Sequence, residues 1–274
     1  NSAVPNVFAA QESYDLKYQL EKGTKITMTS TGETNSVSDQ MGNEMLTDIY
    51  GKAVDIFVVL SANKKKGFTL EYEFGERSQD VDSAMGSDST NFSDLVGQKV
   101  TFFLLPNGKV EGFEGFDSLP VITTSTGDDL NEETYVLGVK TTFPLLPDNP
   151  VKFGDSWEDN QVIDIPSGGS VLNSANDFTY TLIEEVEKDG FDCLKIEMKG
   201  TSRLSGDFEQ EGQALSIERE STTTGTLYFA YKEGMFISFE SESFGEGIID
   251  VPAYGIQIPQ TLTSKGSVTV QFEK

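Results

Sequence analysis

The chain has 274 residues, 36% of them hydrophobic and 11% aromatic, and a formal charge of −25 from 45 acidic and 20 basic side chains. That apolar content suffices for a sizeable core and argues against disorder, while so negative a field repels phosphate and excludes nucleic acids and anionic membrane surfaces as expected partners. With no histidine and one cysteine, Ser–His and Cys–His nucleophile pairs, an internal disulfide and most zinc and copper sites fall away.

Residues 1–12 are uncharged until Glu12, and Val7-Phe8-Ala9 resembles the small-residue end of a secretory signal. The same segment also suits a tether behind a lipid-bearing cysteine. Both readings predict export; the alternative is a frayed cytoplasmic terminus. Tyr14, Leu16, Tyr18 and Leu20 then alternate with polar residues and predict a strand, turned at Lys22-Gly23. Ile26 and Met28 open a second strand that runs polar through Thr31–Val37. Ile49–Leu60 reads as a long strand whose core, Ile56–Leu60, is apolar on both faces and predicts cover on both sides.

Phe68, Leu70, Tyr72 and Phe74 alternate with Thr69, Glu71 and Glu73, which fixes the inward face of that strand. Residues 76–94 are rich in Ser, Asp and Gly and predict a long loop. Asp80, Asp82 and Asp88 within it could hold calcium. They lack the closing Glu of an EF-hand, and clusters by chance are expected in so acidic a chain. A hairpin follows over 95–113, turned at Asn107-Gly108. Asp128 or Asp129 is expected to cap a short helix through Leu130, Tyr135, Val136, Leu137 and Val139, before a stiff Pro-rich run to Pro150.

Past Val151 the β pattern resumes. Strands are expected at Val162–Ile165 and near 178–186, 191–199, 213–223, 225–232, 235–243 and 267–272, with a Gly-Ser loop near 167–175. Three landmarks of the first half recur in order. Gly67, Gly97 and Gly108 match Gly190, Gly225 and Gly234, at offsets of 123, 128 and 126 positions. The predicted architecture is therefore all-β: large, curved antiparallel sheets, open like a half-barrel, from two related halves. Residues 13–113 form the first half, 114–150 a connector with a short helix, and 151–274 the second half, behind the tether at 1–12. Hairpins written alike by chance are the alternative to duplication.

No Gly-x-Ser-x-Gly elbow is present. A carboxylate pair of the glycosidase kind is not excluded among 45 acids, but nothing points to one. The chain is read as non-enzymatic, with no catalytic residue, no metal and no cofactor expected. Cys193 sits in an alternating strand and is expected to be a buried structural thiol. An open, curved sheet must fill its concave face with helix, loop or ligand. Few helices are predicted, which favours an apolar cavity lined by Trp157, Phe102, Leu104, Tyr228 and Phe236, with a dry core packed by the Phe-rich strands as the alternative. For Trp157, the lone tryptophan, a core or staple role is the competing reading.

Pro144-Leu145-Leu146-Pro147 followed by Val151-Lys152-Phe153-Gly154-Asp155-Ser156-Trp157 resembles a domain-of-unknown-function family of exported bacterial β proteins, many of them lipoproteins. The likeness extends over most of residues 13–273. It includes the Tyr-x-Leu-x-Tyr-x-Leu segment, the Gly42 region and the hairpins at Gly97–Gly108 and Gly225–Gly234. More distantly, the plan is similar to the open half-barrels of lipoprotein carriers of the LolA and LppX type. That resemblance implies a protein of the periplasm, outer membrane or cell surface whose concave face holds a lipid or acyl chain. Membrane contact would come only through a lipid anchor. The expected partner is an apolar ligand or an envelope protein, with a structural role in an envelope assembly as the alternative and a carboxylate-dependent hydrolase as the weaker one.

Overall fold

A computed structural model describes residues 13–40, 42–84, 86–167, 170–210 and 212–273. The expected tether over 1–12 lies outside the described residues. The first half supplies strands β1 (Lys25–Gln40), β2 (Asn43–Asn63), β3 (Gly67–Ser83), β4 (Gly86–Ser89), β5 (Lys99–Leu104) and β6 (Val110–Glu114). The connector contains a short strand pair, β7 (Ile122–Thr123) with β8 (Asp129–Leu130), and helix α1 (Glu132–Lys140). The second half adds β9 (Ser156–Ser167), β10 (Ser170–Lys188), β11 (Phe191–Gln210), β12 (Gln213–Ala230), β13 (Met235–Val251) and β14 (Ile256–Glu273).

Among the described residues, twelve strands form one antiparallel sheet in the order β6-β5-β3-β2-β1-β14-β13-β12-β11-β10-β9, with β4 attached to β3. Its two edges, β6 and β9, do not pair with each other. The all-β, curved, open architecture is thus as expected. β1 and β14 join the two halves over a register running from Lys25–Glu273 to Ser38–Gln260. The meander from β1 to β6 and the meander from β9 to β13 cross the sheet in the same direction.

One end of these long strands is capped by a hydrophobic core. Ile26, Phe57, Leu70, Phe102, Ile196 and Phe229 are buried there beneath Leu16, Tyr18, Phe143 and Leu146. The 68–74 register is as the alternation predicts. Phe68, Leu70, Tyr72 and Phe74 face the core, while Glu71 and Glu73 lie on the outer face, both paired with Lys99 at 2.8 and 3.2 Å.

Five local expectations are corrected. Residues 14–20 do not join the sheet as a strand. They run as a strap across its capped end, with a single bridge from Tyr14 to Val151. The Tyr18 N–H donates to Pro106 O at 2.8 Å and the Gln19 N–H to Gly234 O at 2.9 Å. The alternation there reports which side chains are buried, and the backbone bonds go to hairpin turns instead of a neighbouring strand. Much of the expected loop 76–94 is strand, because β3 continues to Ser83 against β2 and folds back through β4. Likewise β9 and β10 extend through most of 156–188 and take in every described residue of the expected 167–175 loop; residues 168 and 169 lie outside the described residues. Helix α1 is capped by Asn131, whose side chain accepts from the Glu133 and Thr134 N–H groups, and not by Asp128 or Asp129. Finally, Ile56–Leu60 is not covered on both faces. Phe57 and Val59 are buried, whereas Leu60 is 40% exposed.

Candidate functional site

Beyond the core the concave face changes character. Residues directly opposite one another in neighbouring strands share a face, so the register can be read across the sheet in rows. One row runs Gly32, Gly266, Ser241, Gly225, Met198, Tyr180 and Trp157. The next runs Thr34, Ser264, Ser243, Thr223, Gly200, Phe178 and Asp159. Glycine, serine and threonine dominate the centre of both rows. Their side chains are too small to fill the interior of a curled sheet, and space remains.

That space is a cavity of about 470 Å3 between the sheet and the end of the connector. Its floor includes Met28, Phe178, Tyr180, Met198, Phe236, Phe239 and Val268. Its roof is Lys140–Leu145, the run that leaves α1. Two hydrogen bonds hold the roof in place: the Trp157 Nε1–H donates to Leu145 O at 3.0 Å and the Tyr18 hydroxyl to Pro144 O at 3.0 Å. Such a volume and an apolar lining with a few polar groups suit a small ligand.

The polar groups include two carboxylates. Asp55 accepts from Arg77 Nη2 at 2.7 Å and from the Tyr72 hydroxyl at 2.8 Å. Burial pushes its carboxyl up, against the pull of the Arg77 charge. Asp159 is only 7% exposed. Its two oxygens accept from one nitrogen, Gln161 Nε2, at 2.9 and 2.8 Å. Burial, with the Asp159 charge adding to it, raises the Tyr180 phenol well above its ordinary value.

The residues singled out from sequence divide. Phe236 lines the cavity. Trp157 stands at its margin, half-buried, stacked on Tyr180 at 5.7 Å between centroids and 12° between planes. That is the staple geometry, since its indole N–H anchors the roof. Phe102 and Leu104 are buried in the closed core, where the Phe102 ring meets Phe57 and Phe143. Tyr228 is on the other side of the sheet, packed against the small cluster of Cys193, Ala230 and Ile237. Lys188 Nζ lies 5.0 Å above its ring. Cys193 is buried in that cluster, and desolvation, reinforced by Glu233, pushes its thiol up to about 11. Asp80 and Asp82 accept from Ser89 and Ser87 at 2.6 and 2.9 Å on the β3–β4 hairpin.

Sequence reasoning passed over Asp55, Asp159, Phe178, Met198 and Phe239. The available signal was the run of small residues at every second position of β11 to β14, which marks where a concave face cannot be filled.

A family model matches residues 64–236. The chain belongs to DUF6263, a family of unknown function. The match takes in β3 to β12 and the whole connector, so the roof and most of the cavity floor are family territory. No curated protein matches the chain. Among solved structures it is similar to lipovitellin, in a structure titled for lipid–protein interactions, at a TM-score of 0.50 and 9% identity. That alignment covers 92% of this chain and 26% of the lipovitellin chain, so the present chain spans about a quarter of its neighbour. The likeness is one of fold. An outer membrane channel from Pseudomonas putida F1 aligns at a TM-score of 0.31 and 10% identity, over 98% of this chain and all of that one.

Proposed function

We propose that the chain is a non-enzymatic binding protein of the cell envelope, exported and lipid-anchored, whose concave face takes an apolar ligand such as a lipid or acyl chain. The observation that carries this reading is the roofed cavity of about 470 Å3, apolar on its floor and bounded by rows of Gly, Ser and Thr. The fold likeness to lipovitellin, a structure titled for its lipid–protein interactions, is compatible with it. Burying an acyl chain there would gain about 0.8 kcal/mol for each methylene removed from water.

Native mass spectrometry of protein purified from its own host tests the proposal. A retained lipid, lost on replacing Met198 by Trp to fill the floor, is the expected result. A mass equal to the polypeptide with its covalent modifications alone, together with no uptake of added single-chain lipids by wild type, would overturn it.

A further inference from the structure

The cavity wall holds an unbalanced charge. Asp159 is nine-tenths buried, and among the described residues no lysine or arginine lies within ion-pair distance of it. Among the described residues its side-chain partner is the neutral amide of Gln161, which serves both oxygens from one nitrogen. An ionised carboxylate offers about four acceptor sites, so most of its capacity is unused. Asp55, the other carboxylate on the wall, is already matched by Arg77 at 2.7 Å. Lys140 also lines the cavity, but its amine lies 5.4 Å over the Phe113 ring. Arg219 is four residues beyond Thr223 on β12, away from the cavity lining.

Taking a carboxylate out of water without a counter-ion is costly, and a cation brought to it recovers much of that cost. The register places Phe178 directly across from Asp159 and Gly200 beyond it. The Phe178 ring lies over Gly200, where it would clash with any Cβ, and so presents an apolar platform beside the carboxylate.

We propose that the occupant of the cavity is a cationic amphiphile, with its apolar body against Phe178, Met198, Phe239 and Val268 and a protonated amine at Asp159. This rests on the reading of the cavity as an apolar ligand site and names the head group that the site selects. The whole-molecule charge of −25 would attract any cation from a distance, so the test must separate the far field from the buried group.

Isothermal titration with dodecylamine, dodecanol and dodecanoate, single-chain probes that differ only at the head, makes that separation. Dodecylamine should bind the intact protein at least about tenfold more tightly than dodecanol, the strength of one charge-assisted hydrogen bond. Dodecanoate should bind most weakly. The preference should survive high salt, which screens exposed charges far more than buried ones. Asp159→Asn should abolish it, bringing dodecylamine down to the affinity of dodecanol for the same variant. If the three probes bind alike, if dodecanoate is preferred, or if the amine preference vanishes in salt, the head-group assignment fails and the apolar site stands. Failure of all three to bind removes both. Should Asp159→Asn not fold, the order of the probes on wild type decides.

Discussion

Strand β3 is built in two ways. From Phe68 to Phe74 one face is buried and apolar; past Gly75 the same face carries Arg77, Gln79, Val81 and Ser83, all half-buried, and the other face is exposed. The neighbouring strands change at the same height. On β13, Phe236 and Phe239 lead on to Ser241, Ser243 and Gly245; on β11, Ile196 and Met198 lead on to Gly200 and Ser202. At the capped end, stability comes from apolar burial under the strap and connector. At the far end it comes chiefly from ladder hydrogen bonds, each worth about 1 kcal/mol net. The cavity lies at the junction, where large side chains give way to small ones. A sheet can therefore carry a binding space without a second layer, provided one end is held closed.

The largest effect should follow from truncating the capped end. Leu70 is fully buried, and Leu70→Ala should cost about 2–5 kcal/mol in a urea melt, with Phe102→Ala at about 3–5 kcal/mol. A loss below 1 kcal/mol at both sites would mean that the core is not what holds the sheet.

Next come the two hairpin turns that bear the strap. Gly108 has φ +96°, and a Cβ there would stand 2.5 Å from Pro144 O and 3.0 Å from the Tyr18 ring. Gly234 has φ +69°, and its Cβ would stand 2.5 Å from the Gln19 nitrogen. Gly108→Ala and Gly234→Ala should each cost at least about 1–3 kcal/mol through left-handed strain alone, with more from displacing the strap. Gly212→Ala, at φ +78° with nothing within 4 Å, is the control that shows strain without displacement. Equal losses at all three would detach the strap from the stability of the capped end.

These glycines also show what was legible in the sequence. The landmarks at Gly108 and Gly234 mark hairpins correctly, but not that both turns receive the segment 14–20. That contact joins residues more than 80 positions apart for Tyr18 and Pro106 and more than 200 for Gln19 and Gly234, and local pattern does not report it. The 68–74 register was readable because period-two alternation and burial coincide there. The polar stretches of β3 and β10 read as loop in the sequence because Ser, Asp and Gly are poor strand formers. Pairing on both sides overrides that preference. The cavity was foreseeable in kind from the open curved sheet and the scarcity of helix. Its residues were not, since Phe102 and Tyr228 look no different in sequence from Phe178 and Phe239 until the register assigns their faces.

A smaller effect is expected from Asp55. Its folded-state carboxyl is raised above the ordinary value of 3.8, chiefly by burial, with Arg77 opposing. The folded protein then holds a proton that the unfolded chain has lost. This contribution is fully present below pH 3.8 and fades as the pH rises through the folded value. The difference between wild type and Asp55→Asn, followed by urea melts from acid to neutral pH, should carry that negative slope. A positive slope would mean that the Arg77 charge outweighs burial.

The smallest effect should come from the outer face at the far end. Phe244 is 47% exposed and Ile248 40%, both on β13. They line an open hollow of about 520 Å3 with Arg203, Glu220 and Glu246. Arg203 and Glu220 are paired at 2.9 Å but largely in water, so the pair contributes little. Phe244→Thr and Ile248→Thr truncate side chains that are already about half in water and put a β-branched residue at each position. Each should therefore change stability by no more than about 0.5 kcal/mol. The amides of 242–250 should exchange with solvent through smaller openings than those of 227–237, because fewer apolar contacts must break to free them. If Phe244→Thr instead cost as much as Leu70→Ala, or if the two stretches exchanged alike, the far end would have to be covered in solution. A concentration-dependent melting temperature would then identify a second copy of the chain as that cover.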